Sequence, residues 1–177
     1  MSEPIQFTYF NTPCGELKIG SFQDKLCLCD WRYRKQRDNI DARVSKFLDA
    51  DFEEGASPVI EETQKELDSY FKNREHNFTI PLLLPGTDFQ QTVWQKLTTI
   101  PVGETMSYLE LSHQLGNPKA IRAIASANGA NAISIIIPCH RVIGSNGELV
   151  GYAGGLPTKK ILLKHEGADI TRQLNLW

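Results

Sequence analysis

No apolar stretch in this 177-residue chain approaches membrane-spanning length, and no basic segment followed by an apolar one opens it. Neither a membrane protein nor a secreted one is expected; the expected setting is cytoplasmic. Cysteine is scarce, with four residues at Cys14, Cys27, Cys29 and Cys139 and no C-x-x-C pair, while Cys27-Leu28-Cys29 reads as alternating strand. A disulfide framework is therefore not expected, and a free reactive thiol is admissible in a reducing compartment. Internal repeats and low-complexity segments are also missing. What remains is a hydrophobic content of 41% and a charged content of 23%, the balance of a globular protein built as one ordinary domain or two small lobes.

A large excess of positive charge is absent too, since the net charge is −2. Its distribution is uneven. Residues 1–100 hold 12 basic and 16 acidic side chains, whereas residues 101–166 hold 6 and 4. Lys119, Arg122, Arg141, Lys159 and Lys160 all fall in the second stretch. A locally positive face on an acidic protein is compatible with nucleic acid, although scattered solvated charges account equally well for the numbers alone.

The first third reads as β-rich, with short β-prone stretches at 5–10, 16–22 and 25–31 and turn signals at Asn11-Thr12-Pro13 and Gln23-Asp24-Lys25. An acidic passage from Arg34 to Gly55 follows, partly helical or loop. Ser57-Pro58 predicts a helix through Lys72, with Ser as N-cap, Pro at the first position, and Ile60, Leu67, Tyr70 and Phe71 on one face. Phe78 to Leu84 reads as extended, and the prolines and glycine around 81–87 mark a boundary. The expected domains are residues 1–86, of α/β character, and residues 87–177, mainly helical.

The second half is more sharply punctuated. Thr87 with Gln90 forms a capping-box pattern before a helix whose apolar face is Phe89, Val93, Trp94 and Leu97. Ser107 with Glu110 forms another, opening a helix that Gly116 stops. Asn117-Pro118 then predicts a helix N-cap and first position, with Gly129 beyond the last turn. Two helices so closely joined constitute a helix-turn-helix signal, which serves DNA binding and plain packing alike. The second helix is unusually smooth: Ala120, Ala123, Ala125, Ser126 and Ala127 leave Lys119 and Arg122 as its cations. Such a surface suits close approach to DNA with weak base discrimination. An alanine-rich packing helix would look similar, but Arg122 is costly to bury without a partner.

The densest chemistry lies at Pro138-Cys139-His140-Arg141, which closes the apolar run Ile133 to Ile137. That run reads as a buried strand delivering a cysteine to the edge of the core. The thiolate is the nucleophilic form, and neighbouring imidazole or guanidinium favours it. Neighbours on extended chain point to opposite faces, so either the chain turns at Pro138 or a water relays the proton. A purely structural core cysteine is the plainer alternative, but it gains nothing from two adjacent ionisable side chains. Downstream come a hairpin-like turn over Val142 to Gly147, the glycine-rich Tyr152-Ala153-Gly154-Gly155, and a helix from Thr158 to His165 followed by Glu166.

Together, Ile137 to Val142, Gly116 to Ala120, Ser107-Tyr108, Gly151 to Gly155 and His165-Glu166-Gly167 resemble the O6-alkylguanine-DNA alkyltransferases, also called methylated-DNA–protein-cysteine methyltransferases. The resemblance runs from Thr87 to Gly167 and touches the first lobe only in general pattern. It implies an RNase H-like α/β first lobe, and a second lobe with a helix-turn-helix. It implies repair of O6-methylguanine, and of O4-methylthymine, by irreversible single-turnover transfer to Cys139 after nucleotide flipping. By resemblance, His140 is the base acting through water, Glu166 orients it, Tyr108 assists nucleotide rotation and hydrogen-bonds the departing guanine, and Asn131 braces the active-site turn. Arg122 fills the gap left by the flipped nucleotide, with Lys119, Ala123, Ser126 and Arg141 also at the DNA; Val142, Tyr152 and Ala153 line the base pocket. A monomer acting on double-stranded DNA, with no cofactor and no metal, is implied.

Three positions depart from the family pattern: Ala132 replaces a proline, Ala125 a glycine on the DNA-facing side, and Asp88 a proline at a helix start. Two other functions stand beside the transferase. A lesion-binding sensor would lack the acceptor cysteine, which is present here. A cysteine hydrolase using Cys139, His140 and Glu166 would leave the helix-turn-helix unexplained.

Overall fold

The computed structural model describes residues 3–74 and 77–170, so the tail beyond 170, within the expected second domain, lies outside the described residues. Its contacts divide the chain into two units, Met1–Thr87 and Asp88–Trp177.

In the first unit, β1 (Ile5–Thr12), β2 (Gly15–Phe22) and β3 (Lys25–Trp31) form an antiparallel meander. A helix, α1 (Arg37–Leu48), then carries the chain across to β4 (Phe52–Glu54), which pairs parallel to β1. The sheet order is β3-β2-β1-β4. The acidic passage expected to be partly helix or loop thus contains both α1 and a strand, too short to announce itself by alternation. The next helix, α2 (Pro58–Lys72), starts where its cap predicts: the Ser57 side chain accepts from the Ile60 amide at 3.2 Å. Ile60, Leu67 and Tyr70 are buried with Leu17, Ile19, Leu26 and Leu28 of the sheet. Of the Phe78–Leu84 stretch expected to be extended, Leu82 forms an isolated parallel bridge with Leu26, whose amide donates to the Pro81 carbonyl at 2.9 Å and whose carbonyl accepts from the Leu83 amide at 2.8 Å.

The second unit begins with α3 (Asp88–Leu97), which buries Val93, Trp94 and Leu97. Phe89, expected on that face, is 42% exposed, because it lies a turn before the buried stripe begins. A two-residue strand, β5 (Met106–Ser107), leads directly into α4 (Tyr108–Gln114), whose Ser107–Glu110 capping box is formed in both directions. Gly116 follows with φ +72°, the left-handed conformation that ends a helix at little cost for glycine. α5 runs from Ile121 to Gly129, not from Pro118. Asn117 does not cap it: its carbonyl accepts from the Ala120 amide at 3.0 Å, closing a separate turn over Pro118 and Lys119. Gly129 is the last helical residue. α3 packs on α5, and the Trp94 indole donates to the Ala127 carbonyl at 2.8 Å.

The expected strand at Ile133–Ile137 is absent. The run is coiled, with the Ile137 amide bonded to the Ile133 carbonyl at 3.0 Å and Ile135 at φ +70°. Local β propensity yields here to the buried Asn131 amide. Its Nδ2 donates to the Ile133 and Ile137 carbonyls at 3.3 and 3.0 Å, and its Oδ1 accepts from the Ile133 amide at 2.9 Å. Cys139–Arg141 form one turn of 3-10 helix, and β6 (Val142–Ile143) pairs in parallel with β5. α6 (Leu156–His165) starts two residues before the expected position and packs on the 3-10 turn.

Ser57→Ala removes a side-chain acceptor from the α2 terminus and also breaks the 2.7 Å contact between the Ser57 and Ser21 hydroxyls. Urea unfolding is expected to show a loss of about 1 kcal/mol.

Candidate active site and nucleic-acid interface

The site is assembled where the Asn131-held coil passes into the 3-10 turn. The turn places Cys139, His140 and Arg141 all in the interior, with Cys139 3% and His140 0% exposed. Of the two sequence-level alternatives at Pro138, the chain turns. The β5–β6 pair aligns Met106 with Val142 and Ser107 with Ile143, bringing Tyr108, the first residue of α4, to the side of Cys139.

Glu166 organises the charged part. Its Oε1 lies 2.8 Å from His140 Nε2 and accepts from Arg141 Nη2 at 2.9 Å, while Oε2 accepts from Arg141 Nε at 2.9 Å. Burial alone would raise this carboxyl; hydrogen bonds and charge from His140 and Arg141 overcome it and hold the group at about 2. Glu166 is therefore an ionised acceptor, so His140 presents Nε2–H to it and keeps its lone pair on Nδ1. That Nδ1 is buried with no hydrogen-bond partner in the protein. Burial lowers the His140 pKa, as do the charges of Arg141 and Lys159, against the opposing pull of Glu166. The imidazole is neutral at physiological pH.

Arg141 is not placed at a nucleic-acid surface, contrary to expectation. It is 7% exposed, and its remaining nitrogen, Nη1, donates to the Ile100 carbonyl at 2.6 Å. A guanidinium held in a bidentate pair with a buried carboxylate and also bonded to a carbonyl has no reach left for phosphate. Gly103 completes the enclosure: it has φ +84°, and a Cβ there would stand 3.1 Å from the Glu166 carbonyl.

The Tyr108 hydroxyl accepts from Asn128 Nδ2 at 3.1 Å. Its pKa is pushed up to about 12 by burial and then by the Cys139 charge, with the Asn128 hydrogen bond opposing. Tyr108 thus stays protonated, and the Asn128 contact leaves its O–H free to donate elsewhere. Asn128, buried on α5, was not singled out by sequence; only its place four residues after Ile124, on the buried stripe, hints at it. Val142 is buried beside the turn, Tyr152 is half-buried with its ring centroid 6.3 Å from that of His140, and Ala153 is half-buried next to it.

α5 turns Ile124, Ala127 and Asn128 inward, and leaves Arg122, Ala123 and Ser126 exposed. Lys119 is exposed on the preceding turn. Ala125 is half-buried, off the crest of that exposed face. Among the described residues neither Lys119 nor Arg122 makes an ion pair, and no group of three or more potential metal ligands is assembled. No described helix is long and apolar enough to cross a membrane.

Fold and site define a protein that buries a cysteine beside a histidine–glutamate pair and couples it, through Tyr108 and Asn128, to an exposed cationic helix of small residues. The model of the 6-O-methylguanine DNA methyltransferase DNA-binding domain matches residues 88–168. A methylated-DNA–protein-cysteine methyltransferase of Mycobacterium bovis is 50% identical over 176 residues, covering 98% of this chain and 99% of the relative. One from Methanosarcina acetivorans is 38% identical over 164 residues, covering 93% and 99%. Among solved structures, Mycobacterium tuberculosis OGT in complex with DNA aligns with TM-score 0.77 at 38% identity, covering 92% of each chain. This chain belongs to the methylated-DNA–protein-cysteine methyltransferase family.

Arg141→Met takes the guanidinium away from the buried Glu166 carboxylate and is expected to cost about 3–5 kcal/mol in chemical unfolding. The pH dependence has a definite sign. Glu166 is held below its unfolded value of about 4.3, so its contacts stabilise the fold above that pH and are lost as pH falls toward 2. Unfolding titrations of Glu166→Gln should show lower stability at neutral pH and a shallower decline between about pH 5 and about pH 2.

Proposed function

We propose that this protein repairs DNA by moving the alkyl group of O6-methylguanine, and of O4-methylthymine, irreversibly onto its own Cys139. The observation that carries the reading is a buried cysteine followed directly by a neutral imidazole whose outer nitrogen is fixed on an ionised carboxylate. With Nε2–H committed to Glu166, Nδ1 is the basic atom, and it takes the Cys139 proton through a water molecule. The sulfur attacks the O-alkyl carbon, the S–C bond forms as the C–O bond breaks, and the electron pair goes to the departing guanine. Tyr108, protonated and with its O–H free, donates to that base. The thioether has no leaving group to restore the thiol, so each molecule acts once. No cofactor is needed for this balance.

An alkyl group on a base edge is out of reach inside a duplex, so the nucleotide must leave the stack. We assign α4 and α5 as a helix-turn-helix whose exposed face, with Arg122, Ala123 and Ser126, meets double-stranded DNA, and Lys119 as a phosphate contact. Arg122 fills the gap after extrusion; Val142, Tyr152 and Ala153 receive the base. The meander with its parallel β4 supports an RNase H-like first domain over residues 1–86, with residues 87–177 as the acceptor domain, in a cytoplasmic protein. A lesion sensor is disfavoured because Cys139 is present and relatives alike over nearly the whole chain carry the transferase name.

After incubation with a duplex containing one O6-methylguanine, peptide mass analysis should find a single methyl group on the Cys139 peptide, saturating at one per molecule. Cys139→Ala should lose transfer completely and still bind DNA; methyl removal by that variant would refute the assignment. Arg122→Ala should slow repair of duplex substrate at least tenfold more than reaction with the free alkylated base, an increment of about 1.4 kcal/mol. Equal losses on both substrates would place Arg122 in folding instead of extrusion.

A further inference from the structure

Asn128 is the polar member of the buried stripe of α5, which it shares with Ile124 and Ala127, and it is 5% exposed. Its Nδ2 donates to the Tyr108 hydroxyl at 3.1 Å, whereas its Oδ1 is buried with no hydrogen-bond partner among the described residues. Packing alone does not favour an amide so placed. The orphaned acceptor has lost its solvation, and a leucine of similar shape would fill the space without that loss. The backbone here is held from both sides: the Trp94 indole bonds the Ala127 carbonyl, and the Asn128 carbonyl accepts from the Asn131 amide at 3.3 Å. Asn131 in turn gathers the coil that leads into Cys139. One residue therefore meets the cysteine coil through its backbone and Tyr108 through its side chain.

We propose that Asn128 is a positioning residue for alkyl transfer, whose amide turns the proton of the Tyr108 hydroxyl toward the departing guanine. A phenol has one proton to give and lone pairs to receive. An amide nitrogen can only donate, so it occupies a lone pair of the Tyr108 oxygen and leaves the proton for another acceptor. The opposite edge of the amide, Oδ1, would capture that proton and silence the donor. Which edge faces the phenol therefore matters, and it is the nitrogen. The same bond strengthens the donor: burial and then the Cys139 charge raise the Tyr108 pKa, and Asn128 opposes both. As charge moves onto the guanine and draws on the O–H, the phenol oxygen gains electron density, and Nδ2 is already in place to stabilise it.

The inference rests on Cys139 as alkyl acceptor and Tyr108 as donor. Single-turnover methyl transfer, measured with the duplex saturated by protein, separates chemistry from docking. Asn128→Leu should bind the duplex as the native protein does and slow transfer about tenfold, part of the roughly hundredfold that a placed proton donor contributes. In a Tyr108→Phe background the same substitution should cost nothing more, because the hydroxyl it orients is gone. A native rate beside Tyr108, or an equal loss in both backgrounds, would make Asn128 a packing residue and overturn the proposal. Should Asn128→Leu not fold, Asn128→Ala is measured in the same two backgrounds and decided by the same outcomes. One reading needs neither DNA nor transfer: by NMR, the Asn128 side-chain amide proton should move upfield in Tyr108→Phe. An unmoved signal would remove the hydrogen bond and the proposal with it. Failure of Cys139 to gain a methyl group in the native protein would instead refute the acceptor assignment, with that signal unaffected.

Discussion

The second unit depends on one carboxylate. Glu166 sits at the end of α6 and reaches back 25 and 26 residues to Arg141 and His140. Through Arg141 it also fixes the Ile100 carbonyl, beyond the end of α3. Taking that carboxylate out of water is unfavourable by itself, and its ionisation at about 2 records how far the imidazole and guanidinium outweigh the loss. The same contacts that close the fold define the histidine tautomer. Packing and chemistry are therefore one interaction here, and a change that weakens the ion pair also blurs which nitrogen accepts a proton.

Around this centre, secondary structure matters less than the irregular chain between elements. The Asn131 side chain substitutes for a ladder, gathering two carbonyls and an amide from Ile133 to Ile137 and turning the run on itself. A two-residue parallel pairing then locks the entry to α4 against the exit from the cysteine turn. Short pieces of this kind have almost no intrinsic stability. They hold because Trp94, Leu97, Leu111, Ile124 and Leu162 pack beneath them.

What could be read from sequence was local. The Ser57-Pro58 start of α2, the Ser107–Glu110 box of α4 and the three β-prone stretches each carry their signal within a few residues, and each is where it was expected. Cys139 and His140 were legible because ionisable groups at the end of an apolar run have no structural explanation. The misreadings were non-local. Ile133–Ile137 has the composition of a strand, yet Asn131 captures its backbone instead. Asn117-Pro118 has the residues of a helix start, yet the chain completes a separate turn before α5. Arg141 and Lys159 looked like cations of a positive face because their partners lie far along the chain; Asn128 was passed over because its partner is a phenol brought close only by folding.

The exposed side of α5 has a thermodynamic consequence. Ala123 and Ser126 offer few or no rotamers to freeze, so covering them with a partner loses little side-chain entropy. Ordering on binding then falls mainly on two long side chains, Lys119 and Arg122. A surface of this kind can be docked and released at many positions along a polymer with a nearly constant free energy, because little in it must be reorganised each time. Contacts made through this face are then nearly uniform in free energy, and selectivity has to be supplied elsewhere in the second unit.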